Sequence, residues 1–155
     1  MEIFNSRLRT YHESAISLSE KLYVDGVLHC CNVFCNFNTD FGKKIAKLYP
    51  GAVEKDKETE KGDRTKLGTY TFIKKNKSSL ALKNIGFYVI NGYTYKDQKN
   101  IEFDYEALEK ILTDLNSILN GKLIAFAIPQ YANFNEVLKV MKKSVQLYSV
   151  LITKD

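Results

Sequence analysis

Residues 28–50 constrain this chain more than any other stretch. Leu28-His29-Cys30-Cys31-Asn32 is an apolar run, Asn36-Phe37-Asn38-Thr39-Asp40 is a loop rich in asparagine, and Phe41, Ile45 and Leu48 recur at helical spacing up to Tyr49-Pro50. An apolar run without polar alternation belongs inside a sheet, covered on both faces. A helix that starts directly after such a strand aims its unpaired backbone N–H groups back at the strand end. Those groups and the helix dipole make a receptor for an anion, so phosphate is the ligand chemistry to look for here.

The rest of the chain must cover that strand. Its 155 residues, 45% hydrophobic, suit one domain over 1–155 with a single core. Two prolines, no Ser/Gly linker and no internal repeat give no reason to divide it. No apolar run is long enough to cross a bilayer, and Glu2, Arg7, Arg9 and Glu13 interrupt any signal peptide, which points to a cytoplasmic protein without a membrane partner. The net charge of +5 permits an acidic partner. The lysines, however, are interleaved with acids in Glu54-Lys55-Asp56-Lys57-Glu58-Thr59-Glu60-Lys61, the pattern of a solvated face rather than a specific nucleic-acid stripe. Cys30, Cys31 and Cys35 are too few and too crowded for a disulfide framework. On a strand Cys30 and Cys31 point to opposite faces, so with His29 they do not form a tetrahedral metal site, and no metal or cofactor is expected.

Glu2–Arg9 and Ala15–Val24 read as an opening pair of strands joined by a turn at 11–14. The segment 51–63 has helical composition without an apolar stripe. Thr69–Lys75 and Ile85–Ile90 read as strands around a turn at Asn76-Lys77-Ser78-Ser79. Tyr105, Leu108, Leu112, Leu115 and Leu119 form an amphipathic helix capped by Asp104 and closed by Gly121. Leu123–Ile128 is a strand ending at Pro129. Asn133 with Glu136 is a capping box for a helix carrying Val137, Leu138 and Met141, and Gln146–Thr153 is a final strand. Alternating strands and helices predict an α/β domain, a three-layer α/β/α sandwich with a mixed, mostly parallel central sheet.

In such sheets the ligand crevice lies beyond the carboxyl ends of the strands. Three stretches of polar or turn-forming residues are expected to meet at that rim: 32–40, Asn91-Gly92-Tyr93-Thr94, and Pro129-Gln130-Tyr131-Ala132-Asn133.

In their order and spacing, His29–Asn32, Asn38–Ala46, Leu67-Gly68-Thr69-Tyr70, Val89–Thr94 and Phe103–Leu108 resemble the macro domain family, which binds ADP-ribose and its derivatives. The similarity covers about residues 25–153. It is greatest to the branch containing stand-alone ADP-ribosyl hydrolases and ADP-ribose-1''-phosphate phosphatases. The resemblance implies that Asn32, Asn36, Asn38, Thr39, Asp40, Phe41 and Gly42 contact ribose and pyrophosphate. It implies a second phosphate loop at Pro129, Gln130 and Tyr131, and a pocket wall at Asn91, Gly92 and Tyr93 beside the adenine or distal ribose. Tyr93 and Tyr131 are the candidate aromatic lids.

Two departures bear on activity. Asp40 stands where the family has glycine, and the glycine-rich loop that follows the strand-end proline is replaced by Gln130-Tyr131-Ala132-Asn133-Phe134. That loop contributes to hydrolysis in the family, and no acid–base pair can be named here. The expected function is therefore binding of an ADP-ribose-containing nucleotide, conjugate or ADP-ribosylated protein with little or no catalysis, as a reader, sensor or sequestering protein of the kind used in phage defence or counter-defence. The alternatives are a hydrolase of the same fold and an interaction module without a ligand.

Overall fold

The computed structural model describes residues 1–78 and 84–155. Its elements run β1 (Leu8–Thr10), α1 (Ala15–Glu20), β2 (Gly26–Asn32), α2 (Asp40–Leu48), α3 (Pro50–Lys57), a 3-10 turn (Arg64–Lys66), β3 (Tyr70–Ser78), β4 (Asn84–Tyr95), α4 (Tyr105–Ile118), β5 (Leu123–Ala127), α5 (Phe134–Ser144) and β6 (Ser149–Thr153). The six strands form one sheet in the order β1-β6-β5-β2-β4-β3. All neighbours are parallel except β3, which runs antiparallel to β4 at the edge. This is the mixed, mostly parallel sheet that the alternation of elements predicted.

Period-two alternation sorts the core into two layers. Leu28, Ile90, Ile124, Phe126, Val150 and Ile152 face α4 and α5, meeting Leu108, Ile111, Leu112, Leu115, Val137 and Met141. Their strand neighbours Val27, Val89, Ala125 and Leu151 face the other way, onto Ala15, Leu18, Ile45 and Ala52 of α1, α2 and α3. All seven residues of β2 are buried, as its unbroken apolar run requires. Asp104 and Asn133 cap α4 and α5 by accepting from the Ala107 and Glu136 amides.

Three expectations need correction. Ala15–Val24 is not a strand but contains the short helix α1, capped by Ser14, whose hydroxyl accepts from the Ser17 amide. The sequence Ala15-Ile16-Ser17-Leu18-Ser19 alternates like a strand, yet Ala15 and Leu18 are buried together at helical spacing. The residues Asn91–Thr94 do not form a turn at a strand end, since β4 continues to Tyr95. Flanked by β2 and β3, this segment has ladder partners on both sides, and Asn91 is tolerated because its amide donates to Ala52 O at 2.9 Å and Thr71 Oγ1 at 3.1 Å. At the other end of the hairpin, Asn76, Lys77 and Ser78 continue β3 rather than turn, and Ser79 lies outside the described residues.

Gly26 sets the spacing of the central strands. A Cβ there would lie 2.7 Å from Tyr88 O, a backbone atom of the adjacent strand that cannot move aside cheaply. Gly26→Ala is expected to lower stability by about 1–3 kcal/mol, the usual cost of forcing extra volume into a packed interior, measurable as a lower denaturation midpoint in urea.

Candidate functional site

The parallel strands end at a cleft of about 310 Å³. Its walls are the start of α2 (Thr39, Asp40, Phe41) and the end of β5 with its following loop (Ala127, Ile128, Pro129, Gln130). His29, Cys30, Tyr95 and Asp155 complete the lining. The volume sits at the low end of the roughly 300–1,000 Å³ typical of ligand pockets. A second hollow of about 510 Å³ adjoins it at Ile128 and is lined there by Tyr11, His12, Phe134 and Ile152.

The helix α2 opens onto this cleft. Thr39, not Asp40, is its N-cap, and the Thr39 hydroxyl accepts from the Gly42 amide at 2.9 Å. The Lys43 amide donates to Thr39 O, while those of Asp40 and Phe41 have no partner among the described residues. These two N–H groups are open at the start of the helix, where the strand–loop–helix order led us to look for an anion. Asp40 is exposed at the first helical position and lines the cleft.

His29 anchors the helix to the sheet. It is 2% exposed, with its ring 4.5 Å from that of Phe37 and 5.9 Å from that of Phe41. Its Nδ1 lies 3.1 Å from Cys31 Sγ. A Cβ on Gly42 would lie 2.8 Å from His29 Nε2, so glycine is required there for close packing rather than for ligand contact. Burial brings the imidazole down to about 4 from its ordinary 6.5, with the Asn91 side chain opposing, and keeps it neutral near pH 7. Burial likewise pushes the Cys30 thiol up to about 12, which leaves it a poor nucleophile.

The asparagines of the loop are engaged with one another. Asn32, 1% exposed, donates to Asn36 Oδ1 at 2.7 Å and Asn100 Oδ1 at 2.8 Å, and lies 3.3 Å from Asn38 Oδ1. Its own Oδ1 accepts from the Phe34 amide at 2.8 Å. Asn100 donates to Asn38 Oδ1, and Asn38 donates to Gln98 O at 2.8 Å. This knot ties the loop before α2 to the loop after β4.

Of the thirteen residues singled out from the sequence, Thr39, Asp40, Phe41, Pro129 and Gln130 line the cleft. Asn32, Asn36 and Asn38 form the knot behind it, and Gly42 packs on His29. Asn91, Gly92 and Tyr93 lie inside the sheet. A Cβ on Gly92 would meet Leu28 and Ile111, and the fully buried Tyr93 donates to Asp56 Oδ1 at 2.7 Å, so Tyr93 is not a lid. Tyr131 is 66% exposed beside Gln130, in a left-handed conformation with φ +63°. Sequence reasoning missed His29, Cys30 and Tyr95 as lining residues. Their position at the ends of β2 and β4 was the available signal. Nothing in the sequence marked Asp155. Tyr95 holds the second loop, its hydroxyl donating to Gln130 O at 2.6 Å. Among the described residues no group of three His, Cys, Asp or Glu could hold a metal ion, and no helix is long and apolar enough to cross a membrane.

This geometry has close counterparts in solved structures. The macrodomain of Mycobacterium tuberculosis DarG superposes with a TM-score of 0.68 at 10% identity, covering 97% of this chain and 99% of that one. The chain has the macrodomain fold. The macrodomain of Thermus aquaticus DarG matches with a TM-score of 0.66 at 12% identity, covering 96% and 98% of the two chains. Thermosipho africanus DarTG, solved in complex with ADP-ribose, matches with a TM-score of 0.64 at 13% identity, over 97% of this chain and 42% of that one. No protein-family model matches the sequence. An uncharacterized 17.5 kDa protein from the tk-vs intergenic region of Enterobacteria phage T4 is 33% identical over 106 residues. The match covers 66% of this chain and 64% of the phage protein.

The buried His29 makes stability pH-dependent. Protons bind the unfolded chain at 6.5 but the folded one only at about 4, so stability is full above the first value and falls as pH drops toward the second. The expected loss across that window is about 3 kcal/mol, at 1.36 kcal/mol per pKa unit. Denaturation midpoints between pH 7 and 4 should show it, and His29→Phe should flatten that part of the profile. Asn32→Ala should cost about 1–3 kcal/mol by leaving buried partners unsatisfied, and hydrogen exchange should quicken in both loops of the knot.

Proposed function

We propose that this macrodomain binds an ADP-ribose-containing nucleotide or conjugate and turns it over slowly or not at all. The observation that carries the reading is the pair of unpartnered N–H groups at Asp40 and Phe41, opening into a cleft at the carboxyl ends of β2 and β5. In this reading the diphosphate lies against those amides, between α2 and the loop after Pro129. The nucleoside extends past Ile128 into the second hollow, where the rings of Tyr11 and His12 lie 4.6 Å apart and Phe134 offers a further apolar surface. The ADP-ribose held by the structurally similar Thermosipho africanus protein supports the ligand class.

Three features favour binding over turnover. His29 and Cys30 are held neutral by burial, Asp155 Oδ1 already accepts from the Ala15 amide and the Thr153 hydroxyl, and Tyr131 replaces a flexible glycine loop with a constrained one. A cytoplasmic reader or sequestering protein for ADP-ribosyl groups, in phage defence or counter-defence, fits a binder of this kind. Asp40 on the cleft wall suits an ADP-ribose whose attached group is cationic, including one on a protein side chain.

Titration calorimetry followed by chromatography of the same mixture tests the reading. Heat with ADP-ribose, less with AMP, and unchanged nucleotide afterwards is the expected result. New products would favour a hydrolase, and silence with both ligands a module without nucleotide. Asp40→Gly removes a carboxylate competing for the helix N-terminus, worth about 0.3–1 kcal/mol, and should tighten plain ADP-ribose about two- to five-fold while weakening amine-bearing conjugates. Unchanged affinity for both classes would place Asp40 outside the site.

A further inference from the structure

Outside the lining of the cleft, a thiol and an amine meet between the loop before α2 and the 3-10 turn. Cys35 Sγ lies 3.5 Å from Lys66 Nζ. Lys66 is 7% exposed, and its ammonium has no carboxylate within ion-pair distance among the described residues. Its other partners are Thr59 Oγ1 at 2.9 Å and the face of the Tyr93 ring, 5.0 Å from the centroid. Cys35 is held from its other side by Asp56 O at 3.4 Å, Thr59 O at 3.5 Å and Thr59 Oγ1 at 3.4 Å. Two further contacts fix this arrangement: the Gly62 amide donates to Val33 O at 2.7 Å, and Tyr93 donates to Asp56 Oδ1. The second carboxylate oxygen of Asp56 is buried there without a partner.

Cys35 also differs from the other thiols. Cys30 and Cys31 are buried, and burial raises both thiols well out of the reactive range. Cys35 is only half-buried and stands at φ +57°, a left-handed conformation that a side chain other than glycine adopts at a cost. That conformation aims its sulfur at Thr59 and Lys66 rather than into the sheet.

We propose that Cys35 and Lys66 form an oxidation site, closed by a hydroperoxide into a reversible sulfur–nitrogen crosslink. In the first step the Cys35 thiolate attacks the peroxide, the O–O bond breaks, and sulfur is oxidised to a sulfenic acid while one oxygen leaves as water (or as an alcohol, from an organic peroxide). In the second, the unprotonated Lys66 amine attacks that sulfur. The S–O bond breaks, and the departing hydroxide takes the amine proton as a further water. Thiol, amine and hydrogen peroxide thus give one S–N bond and two waters. A thiol reductant reverses it, restoring the free amine and cysteine. The crosslink joins positions 31 residues apart and pins the loop leading to Thr39 and Asp40 against the 3-10 turn.

The test is treatment of the purified full chain with hydrogen peroxide from neutral to mildly alkaline pH, then non-reducing digestion and mass spectrometry. The expected product joins the Cys35 and Lys66 peptides and is lighter by two hydrogen atoms than the pair. It disappears with dithiothreitol, and it is absent in Cys35→Ser and in Lys66→Arg. Crosslinked wild type should unfold several degrees higher, because a covalent closure restricts the unfolded chain. Recovery of Cys35 only as sulfinic or sulfonic acid with Lys66 free would overturn the proposal, as would a Cys31–Cys35 disulfide in place of the crosslink.

Discussion

The complete burial of β2 is the constraint from which the rest follows. A strand with no polar face must be covered on both sides and paired on both edges, and β2 meets β4 on one edge and β5 on the other. Gly26 lets its start approach Tyr88, and His29 near its end receives α2 through Gly42. The cleft exists because β2 ends there while α2 begins beside it, leaving two amides without partners. The same burial that holds the sheet together holds His29 neutral, so His29 brings no imidazolium to the cleft at neutral pH.

Loop geometry around the cleft is set by polar groups that bond to the loops themselves. The side chains of Asn32, Asn36, Asn38 and Asn100 bond to one another, which is how a loop rich in polar groups can sit partly buried. On the opposite wall, the Tyr95 hydroxyl holds Gln130 O and the Tyr105 hydroxyl accepts from the Asn133 amide. Aromatic hydroxyls thus position a loop that contains no glycine. The left-handed Tyr131 records the cost of building it without one. A loop held in this way has a fixed shape.

Polar chemistry also extends behind the sheet. Asp56, Tyr93, Thr59, Lys66 and Cys35 form a cluster under α3, separate from the cleft yet joined to it by the loop from Val33 to Thr39. The two ends of that loop are the residues of the knot and the first turn of α2.

The sequence by itself determined the layers, the mostly parallel sheet, a central strand over 27–31, the caps at Asp104 and Asn133, and a helix that starts directly after the asparagine loop. All of these rest on local periodicity and on backbone groups whose needs are the same in any fold. Only the tertiary structure decided which polar side chains face the cleft. An asparagine at a strand end satisfies itself equally well with a nucleotide or with other asparagines, and the choice depends on Asn100, which lies 68 residues from Asn32. The fate of Asn91–Tyr93 likewise depended on β3, whose pairing extends β4 past the point where local composition suggests a turn. The short helix α1 was hidden because five residues of alternating pattern satisfy a strand and a helix alike. Packing against β2 and β5 made them helical, and no local rule contains that contact.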